Sequence, residues 1–196
     1  MAQSSRAILS NINFWNKNLF MDKKTVEHSS VIMRHMVQPQ DANLAGITHG
    51  GVVMKHIDDA AGVVAIKHTG CAVVTASIDR LDFHNPVYIG NLLTIKASVN
   101  LVGRTSMEIG VRVEAEDITS GQIRHTASAY LTFVALDSDG KPTQVPGLAL
   151  VTDEEKRRNR EANDRRTVRL AEKSKEKKCR QDPKDCNLSQ ALNQSK

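Results

Sequence analysis

The chain has 196 residues, 40% of them hydrophobic and 25% charged, which suits one soluble globular domain with an extension. No apolar run approaches the roughly 20 residues needed to span a bilayer, and the N-terminus lacks the apolar core and cleavage site of a secretory signal. The net charge of +5 sits at one end, because residues 1–151 carry 13 Lys/Arg and 13 Asp/Glu while residues 152–196 carry 14 and 9; this counts against nucleic-acid binding by the domain itself.

Residues 1–23 read as an N-terminal extension. Ile8, Ile12, Phe14, Trp15, Leu19 and Phe20 have the spacing of a short docking helix. Residues 24–37 are expected to form a first strand, ended by Pro39 and Asp41. From Gly51 to about Lys67, apolar or small residues recur at spacings of three and four (Val53, Ile57, Ala60, Ala61, Val64), so a long and largely buried helix is expected. Gly70 fits its C-terminal cap.

The period then changes to two. Val73 to Phe83, Leu93 to Leu101, Met107 to Ala115 and Arg124 to Leu136 read as four strands. Val102–Thr105 and Ser138–Lys141 are the turns. Short loops between consecutive strands imply an antiparallel sheet, and one helix packed on it is an α+β arrangement. Thr152-Asp-Glu-Glu155 looks like a capping box. It opens a charged stretch with almost no apolar stripe, read as a solvated or partly disordered helix to about Lys178 and a disordered end beyond it. Its interspersed acids and lack of aromatics disfavour RNA or acidic lipid as a partner. The domain is thus placed at 24–151 and the charged tail at 152–196. Cys71, Cys179 and Cys186 are too few and scattered for a disulfide framework, which points to a reducing cytoplasm. No His or Cys spacing suits a metal.

The segment Asn43-Leu-Ala-Gly-Ile-Thr-His-Gly-Gly51 carries the clearest chemistry. Gly50-Gly51 opens the helix, and free N–H groups at a helix start can hold an oxygen that carries negative charge. Asp58 lies two turns on. Its helical neighbours Met54 and Ala61 are apolar or small, whereas Asp59 can pair with Lys55. A carboxylate so placed can serve as a general base, although a structural acid has the same spacing. Asn43 reads by itself as a turn former. His49 reads as structural or pocket-lining, and Ser77 and Ser106 lack the GxSxG context of a nucleophile.

Together with Val74-Thr-Ala-Ser-Ile-Asp79, Phe83-His-Asn-Pro-Val87, Val102-Gly-Arg-Thr-Ser106 and Ala129–Ala135, the run Asn43 to Gly62 resembles the hotdog-fold acyl-CoA thioesterases. These are the bacterial short-to-medium-chain enzymes and the animal cytosolic acyl-CoA hydrolases. The resemblance covers residues 28–150. It implies an antiparallel sheet wrapped around one long central helix, and hydrolysis of acyl-CoA to a free acid and coenzyme A. It implies Asp58 as base or nucleophile and Asn43, from a partner subunit, as the residue that orients water or substrate. His49, Gly50 and Gly51 would form the oxyanion-binding helix start. Val74, Thr75, Gly103, Arg104, Thr105 and Ser106 would contact coenzyme A. Animal relatives often carry two such domains in tandem and this chain has one, so a homodimer is implied, and with it a trimer of dimers. No cofactor or membrane insertion is expected. The alternatives are an acyl-CoA sensor without turnover and a hotdog hydratase or dehydratase.

Overall fold

The computed structural model describes residues 23–181, with side chains through Lys178. The helix expected before residue 21, the side chains of Cys179 and Cys186, and the end of the tail lie outside the described residues.

The elements in chain order are β1 (Lys24–Thr25), α1 (Val26–Ser29), β2 (Val31–Met36), a 3-10 turn (Pro39–Asp41), α2 (Gly50–Thr69), β3 (Ala72–Phe83), β4 (Leu92–Val102), β5 (Ser106–Asp117), β6 (Gln122–Leu136), β7 (Leu148–Ala149) and α3 (Asp153–Gln181). Five strands form one antiparallel sheet in the order β2-β4-β5-β6-β3. β1 and β7 form a separate parallel pair.

The single strand expected over 24–37 is a correction. Thr25 accepts the N–H of His28, and the Ser30 hydroxyl donates to the Val26 carbonyl. These local side-chain bonds compete with a strand ladder and wind residues 26–29 into a helical turn.

α2 buries Val53, Ile57, Ala60, Ala61, Val64 and Ala65 against the sheet. Facing them are alternate residues of the strands: Leu93, Ile95, Ala97 and Val99 on β4, Met107, Ile109, Val111 and Val113 on β5, and Leu131, Phe133 and Ala135 on β6. Gly70, with φ +72, ends α2 in the left-handed region.

α3 has the capping box expected at its start, with Glu155 N–H bonded to Thr152 Oγ1 and Thr152 N–H to Glu155 Oε2. It is not wholly solvated, and here the sequence reading needs correcting. Arg165 bonds Glu108, Arg169 pairs with Asp79, Asn159 donates to the Asn100 carbonyl, and Ala162 is fully buried. Polar groups hold one face of α3 on the outer side of the sheet, so no apolar stripe was there to be read.

Candidate active site

The loop before α2 builds the first group of residues. Asn43 Oδ1 accepts the N–H groups of Ala45 and Ile47 at 2.9 and 3.4 Å, which closes a tight turn. The turn-forming role of Asn43 is therefore real. It uses the carbonyl side of the amide, and Nδ2 makes no hydrogen bond among the described residues. His49 caps α2, its Nδ1 accepting the N–H of Gly51 at 2.9 Å. A Cβ on Gly51 would lie 3.0 Å from that nitrogen, so glycine lets the ring close in. This revises the expected oxyanion donor. The Gly51 N–H is occupied by its own cap, whereas the Gly50 N–H has no partner among the described residues.

Asn43 and Gly50 open into a cavity of about 380 Å³ that is also lined by Ile47, Thr48, Val53, Phe83 and Asn85. The Phe83–Val87 motif forms its far wall. It was visible in the sequence, but nothing there showed that it faces Asn43. A Cβ on Gly50 would meet Phe83 at 3.5 Å, an ordinary contact, so packing within the chain does not demand glycine there.

Asp58 lies elsewhere. It is half-buried on α2, and its Oδ1 accepts the hydroxyl of Thr75 on β3 at 2.8 Å. Asp59 instead pairs with Lys55 at 2.8 Å, as the helical spacing predicts. Gly50 and Asp58 are eight residues apart on one helix, about 12 Å along its axis. Asn43 and Asp58 of one chain therefore do not share a site.

The sheet register groups the remaining candidates with Asp58. Ser106 is opposite Val134, which is opposite Val74, and Met107 is opposite Phe133, which is opposite Thr75. Residues 103–106 thus reach the same end of the sheet as Val74 and Thr75, two strand spacings or about 10 Å away. Arg104 is exposed there. The Arg166 guanidinium from α3 lies over Gly103, where an added Cβ would meet it at 3.0 Å. This second cation at the corner was not legible in the sequence. Among the described residues no three His, Cys, Asp or Glu side chains converge as a metal site, and no helix is long and apolar enough to cross a membrane.

Residues 45–122, which span the helix start, Asp58, Thr75 and the 103–106 turn, match the thioesterase superfamily. Protein VdlD of Helicobacter pylori is 39% identical, over 74% of this chain and 83% of its own. The chain belongs to the thioesterase superfamily.

The cytosolic acyl coenzyme A thioester hydrolase of Rattus norvegicus is 40% identical over 74% of this chain, which spans 38% of that protein's length. Two solved thioesterases are similar in structure. An apo-hexameric acyl-CoA thioesterase has a TM-score of 0.75 and 39% identity, covering 78% of this chain and 97% of the other. The acyl-CoA hydrolase of Staphylococcus aureus, in complex with butyryl coenzyme A and coenzyme A, has a TM-score of 0.76 and 37% identity, with coverages of 81% and 97%. The long α2 wrapped by the five-stranded sheet is the hotdog fold of these thioesterases. Alanine variants of the Staphylococcus aureus hydrolase replace an asparagine, an aspartate and a threonine. Those residues have the spacing that separates Asn43, Asp58 and Thr75 here.

Proposed function

We propose that this thioesterase-superfamily chain hydrolyses acyl-CoA thioesters to a carboxylic acid and coenzyme A, in a site shared between two copies. The separation of Asn43 and Gly50 from Asp58 along α2 carries this reading. Each chain holds two half-sites. One is the Asn43–Gly50 cavity beside Phe83, and the other is Asp58 with Thr75 and the 103–106 turn. β3 is an edge strand that bears the exposed apolar residues Val74 and Ile78. Such an edge is a template for pairing with another strand. Antiparallel pairing of two β3 strands sets the Phe83 end of one beside the Val74 end of the other. Each Asn43 cavity then meets the partner's Asp58.

In that site Asp58 takes a proton from water as the water attacks the thioester carbonyl, or attacks the carbonyl itself. The carbon–sulfur bond breaks, and the coenzyme A thiolate leaves and is protonated. After direct attack, water then hydrolyses the acyl–Asp58 anhydride, which frees the carboxylic acid and restores the carboxylate. The Gly50 N–H at the helix start, with the Asn43 amide, offers hydrogen bonds to the developing oxyanion. Arg104, with Arg166 beside it, suits the phosphates of the nucleotide. Water is the only co-reactant, so no cofactor is needed. The hexameric assembly of the apo relative supports a trimer of such dimers, and the name of the rat relative supports a cytoplasmic setting.

Thiol release from a panel of acyl-CoAs tests the activity. Asp58→Ala should lower kcat by about 10²–10⁴-fold. The shared site is tested by refolding Asn43→Ala and Asp58→Ala together. Each is expected to be strongly impaired alone, and mixed dimers to regain one intact site. Near wild-type hydrolysis by Asp58→Ala sinks the assignment, and no recovery on mixing sinks the shared site.

A further inference from the structure

Asp41 is two residues before Asn43, and hydrogen bonds to its carboxylate and carbonyl close the base of the Asn43 turn. Oδ2 accepts the Gln38 backbone N–H at 2.8 Å and faces His35 Nε2 at 3.1 Å. Its carbonyl accepts the His49 N–H at 2.7 Å. The carboxylate thus ties the turn to β2, and the carbonyl ties it to the cap of α2. The Gln38 N–H first, and His35 next, hold the Asp41 carboxyl below its ordinary range. His35 packs on His56 of α2 with ring centroids 4.1 Å apart, two residues before Asp58.

Asp41 does not line the cavity that Asn43 and Gly50 share. Among the described residues the Asn43 amide is held only by its own turn, through Ala45 and Ile47. Where the amide sits relative to the Gly50 N–H therefore depends on how the whole turn is anchored. We propose that Asp41, backed by His35, is a positioning residue that sets the Asn43 turn against the start of α2. This rests on the hydrolase reading above. A displacement of about 1 Å in a catalytic constellation can cost about 10²-fold in rate.

The test compares Asp41→Ala, Asn43→Ala and the double variant for kcat and KM on one acyl-CoA, with a thermal melt of each. Asp41→Ala is expected to lower kcat about 10–100-fold with KM changed less than about 3-fold. Asp41→Asn, whose amide oxygen still accepts the Gln38 N–H, is expected to recover most of that rate. The double variant is expected to be no slower than the slower single one, because both changes remove the same contribution. Losses that multiply in the double variant overturn the positioning role. So does a wild-type kcat for Asp41→Ala where Asn43→Ala is impaired, and in both cases the hydrolase reading stands. A wild type that releases no thiol, or an Asn43→Ala enzyme at full rate, overturns the reading and this inference with it. Should Asp41→Ala fail to fold, His35→Ala in the same cycle with Asn43→Ala carries the test under the same criteria.

Discussion

The Thr75 hydroxyl donates to Asp58 Oδ1 at 2.8 Å and so joins the edge strand β3 to the carboxylate of α2. With one oxygen held, the carboxylate cannot rotate freely, and in the proposed site Oδ2 is the atom left to meet water or a carbonyl carbon. A hydrogen bond to a charged group contributes about 1.5–3 kcal/mol, or roughly 10–100-fold when it orients a reacting group. Thr75→Val keeps the shape and removes the donor. It should lower kcat by about that factor, whereas Thr75→Ser should retain most of the rate. Steady-state kinetics on the two variants decide it; equal rates for Val and Thr would leave Thr75 a mere wall of the site.

Arg104 is exposed at the turn that the sheet places level with Thr75. If it meets the nucleotide phosphates, Arg104→Ala should raise KM for acyl-CoA about 5-fold, in keeping with about 1 kcal/mol for an exposed charge pair. The same variant should leave KM unchanged for a pantetheine thioester, which lacks the nucleotide. Equal effects on both substrates would move Arg104 out of phosphate recognition.

Features set by side-chain period were legible in the sequence. α2 and the strands β3 to β6 follow from spacings of three or four and of two, because burial on one face imposes them. The pairing of Asp59 with Lys55, which leaves Asp58 on the other side, follows from helical geometry alone. What failed depends on groups that local patterns do not rank. The Thr25 and Ser30 side chains redirect the backbone at β2, and the His49 ring takes the Gly51 N–H that was expected to be open. The docking of α3 needs Arg165 to find Glu108 and Arg169 to find Asp79, across separations of 57 and 90 residues.

His68 is fully buried between Ser29 Oγ at 2.9 Å and the Pro146 carbonyl at 3.1 Å. A carbonyl only accepts, so Nε2 carries the proton and Nδ1 takes the Ser29 hydroxyl hydrogen. Burial pushes the His68 pKa below 6.5, and Lys24 and His28 act in the same direction. The unfolded chain therefore binds this proton first as pH falls. Stability is full above about pH 6.5 and declines below it, until the folded-state pKa is passed, by up to about 1.4 kcal/mol per pH unit. His56 and His125 are lowered mainly by burial too and add to the slope. Denaturant unfolding at pH 7.5 and pH 5.5 should show the loss, and His68→Gln should flatten its own share. An unchanged slope in that variant would mean that His68 does not contribute to it.

Glu108 is 2% exposed beneath α3, bonded by Arg165 at 2.7 Å and by Asn100 Nδ2 at 3.3 Å. Arg165 also lies 3.7 Å over the Tyr130 ring. Removing one partner of a buried pair strands a charge, which typically costs about 3–5 kcal/mol, while removing both costs much less. Arg165→Met should therefore destabilise the protein strongly, and adding Glu108→Gln to it should restore part of the loss. Losses that simply add would show that the pair is hydrated in solution. Protease cleavage within Asp153–Gln181 gives a second readout. α3 should be cut faster in Arg165→Met than in the wild type, because one of the polar contacts that hold it to the sheet is then lost, leaving those of Asn159 and Arg169.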